Sequence, residues 1–251
     1  MKIDALVLAG GMNNDVLWQT SGVREEALIP IGDRVMVEYV VKALRGSDQI
    51  GRIALVGPVA PLQHLFEHEP DILHAPPGET VIESAANGLA VLKAREWLLV
   101  ATADIPLITS AAIEDFLQSC FAREADFFYA IVPKEANEAK FPGVQRTYVH
   151  LREGTFTGGN IFLVRPELAL DCLKRGVDIV RLRKKPVGLA RLIGWGFIIK
   201  FLLKRLTTAE AERCFSKLLG LRGLAVSSPY PEVGVDVDKL SDLELVRQVL
   251  E

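Results

Sequence analysis

Two stretches of this chain carry residue types suited to chemistry on a phosphate. Leu6-Val7-Leu8-Ala9-Gly10-Gly11 reads as an apolar strand ending in two glycines, and Ala101-Thr102-Ala103-Asp104-Ile105-Pro106 as a second one ending in a carboxylate. Glycine lets a ligand approach the backbone without a Cβ in the way, and successive N–H groups at such a turn cradle anions. A carboxylate at a strand's carboxyl end suits Mg²⁺, a hard cation that takes oxygen ligands and shares them with substrate phosphates. Ligands of open α/β sheets bind beyond the carboxyl ends of the strands. Together the two strands describe a phosphate-and-metal site. Neither GxGxxG nor a P-loop follows the first strand, which argues against both of those nucleotide folds.

Two further segments fit the same site. Gly78-Glu79-Thr80-Val81-Ile82-Glu83-Ser84 opens a helix, and helix N-termini attract anions. Gly234-Val235-Asp236-Val237-Asp238 puts two acids on one side of an extended segment, because alternate residues of a strand share a face. Each piece has a plainer explanation. Asp104 before Pro106 suits a turn or an N-cap, Glu79 and Glu83 suit a helix dipole, and Asp236 and Asp238 suit caps of the next turn.

These residues need elements to hold them. Strands are expected at Ala5–Ala9, Arg52–Val56, Leu98–Ala101, Phe127–Val132, Asn160–Val164 and Gly223–Val226. Helices are expected at Val35–Leu44, Val81–Ala94, Ala111–Ala122 and Pro166–Lys174. Alternation of this kind predicts a three-layer α/β/α, Rossmann-like, mostly parallel doubly wound sheet. Continuously apolar strands agree with a sheet covered on both faces. From about 176 to 219 the pattern turns helical and basic, which reads as a helical insertion within one domain spanning 1–251. Capping boxes are expected at Thr207-Thr208-Ala209-Glu210 and at Ser241-Asp242-Leu243-Glu244, the second opening a terminal helix.

Composition sets outer bounds. The chain has 251 residues, a net charge of -3 and three scattered cysteines, Cys120, Cys172 and Cys214. Nothing suggests a field that would draw it to nucleic acid. No disulfide framework is expected, and no signal peptide is read, so the expectation is cytoplasmic. The apolar run Leu189–Leu203 has basic flanks at Arg181–Lys185 and at Lys204-Arg205. It suits a helix packed on the body or on a partner, or one lying in an anionic membrane surface.

Taken in order, these pieces resemble the nucleotidyltransferase family with a GT-A-like fold, which includes molybdenum-cofactor nucleotidylyltransferases and methylerythritol-phosphate cytidylyltransferases. Leu8-Ala9-Gly10-Gly11 is similar to that family's phosphate loop, and Ala27-Leu28-Ile29-Pro30-Ile31-Gly32 to the tail of its signature. Gly78, Glu79, Thr80 and Ser84 resemble the segment that meets base and ribose. Asp104-Ile105-Pro106 resembles the metal-binding DxP, Gly158-Gly159-Asn160 the acceptor side, and Asp236-Val237-Asp238 the closing acidic motif.

The resemblance covers 1–165 and 221–251. It implies transfer of a nucleoside monophosphate from an NTP to a phosphorylated small-molecule or lipid-linked acceptor, with release of pyrophosphate. Mg²⁺ would be held by Asp104, Asp236 and Asp238. Leu8, Ala9, Gly10 and Gly11 would hold the nucleotide's phosphates, and Gly158, Gly159 and Asn160 the acceptor. Peripheral membrane contact through 181–205 and a homodimer are both compatible with the sequence.

One position departs from the pattern. The family places a lysine where this chain has Glu26, and Arg24 is the sole cation between Lys2 and Arg34. The expected counter-charge to the leaving group is then Arg24, with Asp104 and Asp236 as its catalytic partners, or a cation arriving from Arg181–Lys185. Glu26 motivates an alternative, a non-catalytic nucleotide binder on the same fold. A GT-A glycosyltransferase is the third reading, although its usual DxD is reduced here to the single Asp104.

Overall fold

A computed structural model of the chain describes residues 2–94, 96–182 and 193–251, without the side chains of 178–182. Its first half alternates strand and helix. In order come β1 (Ile3–Leu8), α1 (Asp15–Ser21), β2 (Pro30–Ile31), β3 (Arg34–Val35), α2 (Met36–Arg45), β4 (Ile50–Val56), α3 (Val59–Leu65), β5 (Ile72–Ala75), α4 (Val81–Leu92), β6 (Leu98–Thr102) and α5 (Ser110–Phe121). The second half continues with β7 (Phe127–Pro133), α6 (Lys134–Lys140), β8 (Val149–Leu151), β9 (Gly154–Val164), α7 (Pro166–Leu182), α8 (Trp195–Leu202), α9 (Thr208–Leu219), β10 (Gly223–Ser227) and α10 (Leu240–Leu250).

Among the described residues, eight strands form one sheet in the order β10-β7-β9-β6-β1-β4-β5, with β8 paired to β9. Strand β1 runs parallel to both β4 and β6, and β10 runs parallel to β7. Strand β9 is antiparallel to its neighbours β6 and β7. The chain leaves β1 toward β4 and β5, then crosses back to place β6 on β1's other side. This reversal is a topological switch point, where a crevice opens at the carboxyl edge.

Alternation along β1 explains the layers. Ile3, Ala5 and Val7 join Val37 and Val40 of α2 and Ile113 and Phe116 of α5 in one core. Leu6 points the other way, into a core with Ala85 and Leu92 of α4 and Cys172 of α7. The expected sandwich is therefore present, with a mostly parallel sheet between helices. A smaller cluster at the carboxyl edge packs Leu17, Ile29, Ile31, Val235, Val237 and Leu243.

Helix α4 sits close to the sheet because Gly88 has no side chain. A Cβ there would collide with Leu6 Cδ1 and come within 2.6 Å of Val56 Cγ2. Gly88→Ala is expected to cost about 1–3 kcal/mol from overpacking, against at most about 1 kcal/mol regained from helix propensity. The measurement is a lower urea midpoint at unchanged slope.

Several boundaries differ from expectation. Helix α4 stops at Leu92, where Lys93 turns left-handed with φ 49°. Strand β9 begins six residues early, at Gly154, because its first residues pair with β8 and with the end of β7. Helix α7 runs on to Leu182. The Thr207 capping box forms as expected, with Thr207 and Glu210 bonding each other's backbone. The Ser241 box does not. Helix α10 starts at Leu240, so Ser241 lies inside its first turn. Asp242 instead accepts a bond from the Asp238 N–H.

Candidate functional site

The two strand ends with the glycine turn and with Asp104 flank the switch point. Gly10 and Gly11 follow β1, and Asp104 follows β6 two residues past Thr102. They line a cleft of about 300 Å³ that also includes Leu8, Ala9, Glu26, Gly78, Glu79, Thr80 and Ser84. All eight residues assigned to the nucleotide by resemblance thus border one space with Asp104.

The turn before α4 is held by its own polar groups. Thr80 is the N-cap and accepts from the Glu83 N–H. The Ser84 hydroxyl accepts from the Gly78 N–H at 2.9 Å, and Glu83 accepts from the Glu79 N–H at 2.8 Å. A Cβ on Gly78 would strike that of Glu83. The glycine is therefore needed to fold the turn onto the helix, whatever it also binds.

The C-terminal acids arrive from the far end of the chain. A short 3₁₀ turn, Pro231–Gly234, packs on β9. A Cβ on Gly159 would lie 3.2 Å from the Val233 carbonyl, and one on Gly234 3.1 Å from the Gly158 carbonyl. The buried Glu232 carboxylate anchors this turn by pairing with Lys140 at 2.8 Å and accepting from Thr109. The Val237 N–H then donates to the Asp104 carbonyl at 2.9 Å. Asp236 and Asp238 fall on one side of the extended segment. One carboxylate oxygen from each of Asp104, Asp236 and Asp238 lies within 4.8 Å of the others.

Three carboxylates at this separation repel one another. Burial first, then Asp236 and Asp238, push Asp104 up to about 6, although the bond it accepts from Thr102 Oγ1 opposes the shift. Asp236 is also raised, chiefly by burial, against the pull of Arg146. Arg146 pairs with Asp236 Oδ1 at 2.6 Å and donates to its carbonyl at 2.8 Å, while its own Nε lacks a partner. The donor set is all oxygen and mostly anionic, which fits a hard divalent cation.

Glu26 belongs to the same cluster. The Glu26 N–H donates to the Gly11 carbonyl at 3.1 Å, and a Cβ on Gly11 would collide with the Glu26 carboxylate. Burial, then Asp104, Asp238 and Asp236, raise Glu26 to about 7. A carboxyl group therefore stands over the glycine turn at the position where the resemblance implies a lysine.

Other expected residues fall elsewhere. Arg24 is exposed, and its guanidinium stacks 3.8 Å from the Trp18 ring centre; it does not line the cleft. Gly158, Gly159 and Asn160 share β9 but do not line the cleft either. A Cβ on Gly158 would collide with the Tyr129 hydroxyl. Two of these three residues thus have a packing role in seating the turn that delivers Asp236. The basic stretch Arg181–Lys185 lies almost wholly outside the described residues and side chains.

Sequence reasoning missed Thr102, Tyr129 and Arg146. Thr102 could have been found, because it shares Asp104's side of the strand end. Burial, then Asp236, pushes the Tyr129 hydroxyl up to about 12. Arg146 sits in an irregular segment with no motif of its own.

Comparisons with solved structures agree with this fold. A hypothetical transferase structure from Thermus thermophilus is 40% identical and superposes with a TM-score of 0.80, the match covering 97% of this chain and 100% of that one. CMP:2-keto-3-deoxy-manno-octonic acid synthetase, complexed with CTP, is 13% identical with a TM-score of 0.63, over 100% of this chain and 98% of that one. The 4-diphosphocytidyl-2C-methyl-D-erythritol synthase of Anaerococcus prevotii DSM 20548 is 12% identical with a TM-score of 0.63, over 99% and 96% of the two chains. At these identities the last two share the fold. No curated protein matches the chain. Residues 5–191 match the MobA-like NTP transferase domain, and the chain belongs to that family.

Proposed function

We propose that this transferase moves a nucleoside monophosphate from an NTP to a phosphorylated acceptor and releases pyrophosphate, with Mg²⁺ held by Asp104, Asp236 and Asp238. One observation carries the reading: three carboxylates converge within 4.8 Å at the sheet edge that also carries the glycine turn. The metal would supply charge neutralisation and polarisation at the α-phosphate.

The chain's own residues do the rest. N–H groups at Gly10 and Gly11 receive phosphate oxygens, and the turn Gly78–Thr80 with Ser84 borders the nucleoside. Thr102 fixes the Asp104 carboxylate. Arg146 fixes Asp236 and limits the cluster's negative charge. A phosphate oxygen of the acceptor attacks the α-phosphorus, the bond to the bridging oxygen of the β-phosphate breaks, and pyrophosphate leaves with that oxygen. No covalent intermediate is needed, because positioning supplies most of the rate.

The test is Mg²⁺-dependent pyrophosphate release from each of the four NTPs with a panel of sugar, polyol and lipid-linked phosphates. At least one pair is expected to turn over, and chelation should stop it. Glu26 over the glycine turn favours the second reading, a nucleotide binder without turnover. Tight NTP binding with no pyrophosphate from any pair would select that reading.

A further inference from the structure

The stretch from 179 to 209 is chemically unlike the rest of the chain. It contains eight Lys and Arg and no Asp or Glu, so of the chain's 29 cations 21 remain elsewhere, against 32 acids. The stretch carries +8 and the remainder -11. Helix α8 is its described core. None of its residues is buried. Trp195 is 60% exposed and Leu202 72%, with Ile199, Phe201 and Leu203 exposed beside them. A contiguous apolar surface rimmed by charge marks a contact site.

The base of this helix is fixed. Leu206 is buried, and its carbonyl accepts from the Arg152 N–H at 2.8 Å. The Thr208 N–H donates to Glu153 at 3.0 Å. Arg152 and Glu153 form the turn between β8 and β9, and Phe156 of β9 pairs with Pro133 at the carboxyl end of β7. Helix α8 is therefore tethered at the sheet edge that carries the cleft.

The choice of occupant follows from charge. A second copy docking through the same face would bring cations onto cations, since a two-fold contact is self-complementary. An anionic bilayer meets both properties at once. Apolar side chains enter the acyl boundary, Trp195 takes the interfacial level, and Lys204 and Arg205 reach lipid phosphates. Among the described residues, no helix is long and apolar enough to cross a membrane, so the contact lies in the surface plane.

We infer that α8 is a surface anchor that docks this protein on an anionic lipid bilayer. The inference is independent of the nucleotidyl-transfer reading, because its readout is binding alone. The experiment is flotation of the full chain with vesicles of phosphatidylcholine alone and of phosphatidylcholine mixed with phosphatidylglycerol.

The wild type is expected to float only with the mixed vesicles and to be released as salt rises. Lys204→Gln should weaken partitioning about fivefold, and Leu202→Ser at least about tenfold. Both positions are exposed, so thermal melts should stay unchanged. Absence of flotation with mixed vesicles overturns the proposal. So does flotation that neither substitution weakens, or a solution dimer that Leu202→Ser splits into monomers.

Discussion

Asp104→Asn is expected to lower Mg²⁺-dependent pyrophosphate release by about 10²–10³, the scale of losing one charge-stabilising group at a transferring centre. The amide keeps the carboxylate's shape and can still accept from Thr102, so the loss would come from charge and not from unfolding. Stability should move the other way. Folding raises this carboxyl from 3.8 to about 6, so its ionised form opposes folding. That penalty is absent below about pH 4, grows between about 4 and 6, and is full above about 6. In chelator, the variant should therefore melt above the wild type at neutral pH, and the difference should vanish in acid. Mg²⁺ should raise the wild-type midpoint and leave the variant's nearly unmoved. Turnover surviving at the wild-type rate would remove Asp104 from the reaction.

Glu26→Lys is expected to raise kcat/KM for the NTP on the order of 10². The present carboxyl lies beside Asp104, Asp236 and Asp238 and over the Gly11 backbone. In the proposed reaction the incoming triphosphate approaches that same backbone. A flexible ammonium group at this position faces three carboxylates that attract it, and it would oppose the substrate's charge instead of adding to it. Nucleotide titration and pyrophosphate release on the variant measure the effect. A fall in rate would reverse the interpretation and make Glu26 a fourth oxygen ligand that this chain needs.

The elements that frame the site were legible because they are simple. Apart from Asp4 in β1 and Thr102 at the end of β6, these strands are apolar, and Asp104 is the first charge after β6. The pairing of Asp236 with Asp238 followed from strand alternation alone. Strand β5 was missed: Ile72–Ala75 is four residues long and contains His74, too short to show a period. The Ser241 box failed because the helix starts two residues earlier, with Lys239 as its N-cap, and tertiary contact gives Asp242 a different partner. Arg24 is expected as the counter-charge to the leaving group, and its guanidinium stacks on Trp18 outside the cleft. Arg146 had no signal at all. Its role arises only when a loop and a C-terminal segment meet, and local pattern carries no record of such meetings.

Helix α1 and the acidic segment are joined by a bond from the Asn14 amide to the Asp238 carbonyl, across 224 residues. On the ribosome, the glycine turn emerges roughly 10–45 s before the segment that must close over it, at ordinary elongation speeds. Strands β1 to β6 can pair during that interval, yet the carboxylate trio does not exist until residue 238 has been made. On the proposed reading, cation capture is thereby deferred until Asp238 has been made, and a nascent product stalled before it would hold the glycine turn without its acidic partners.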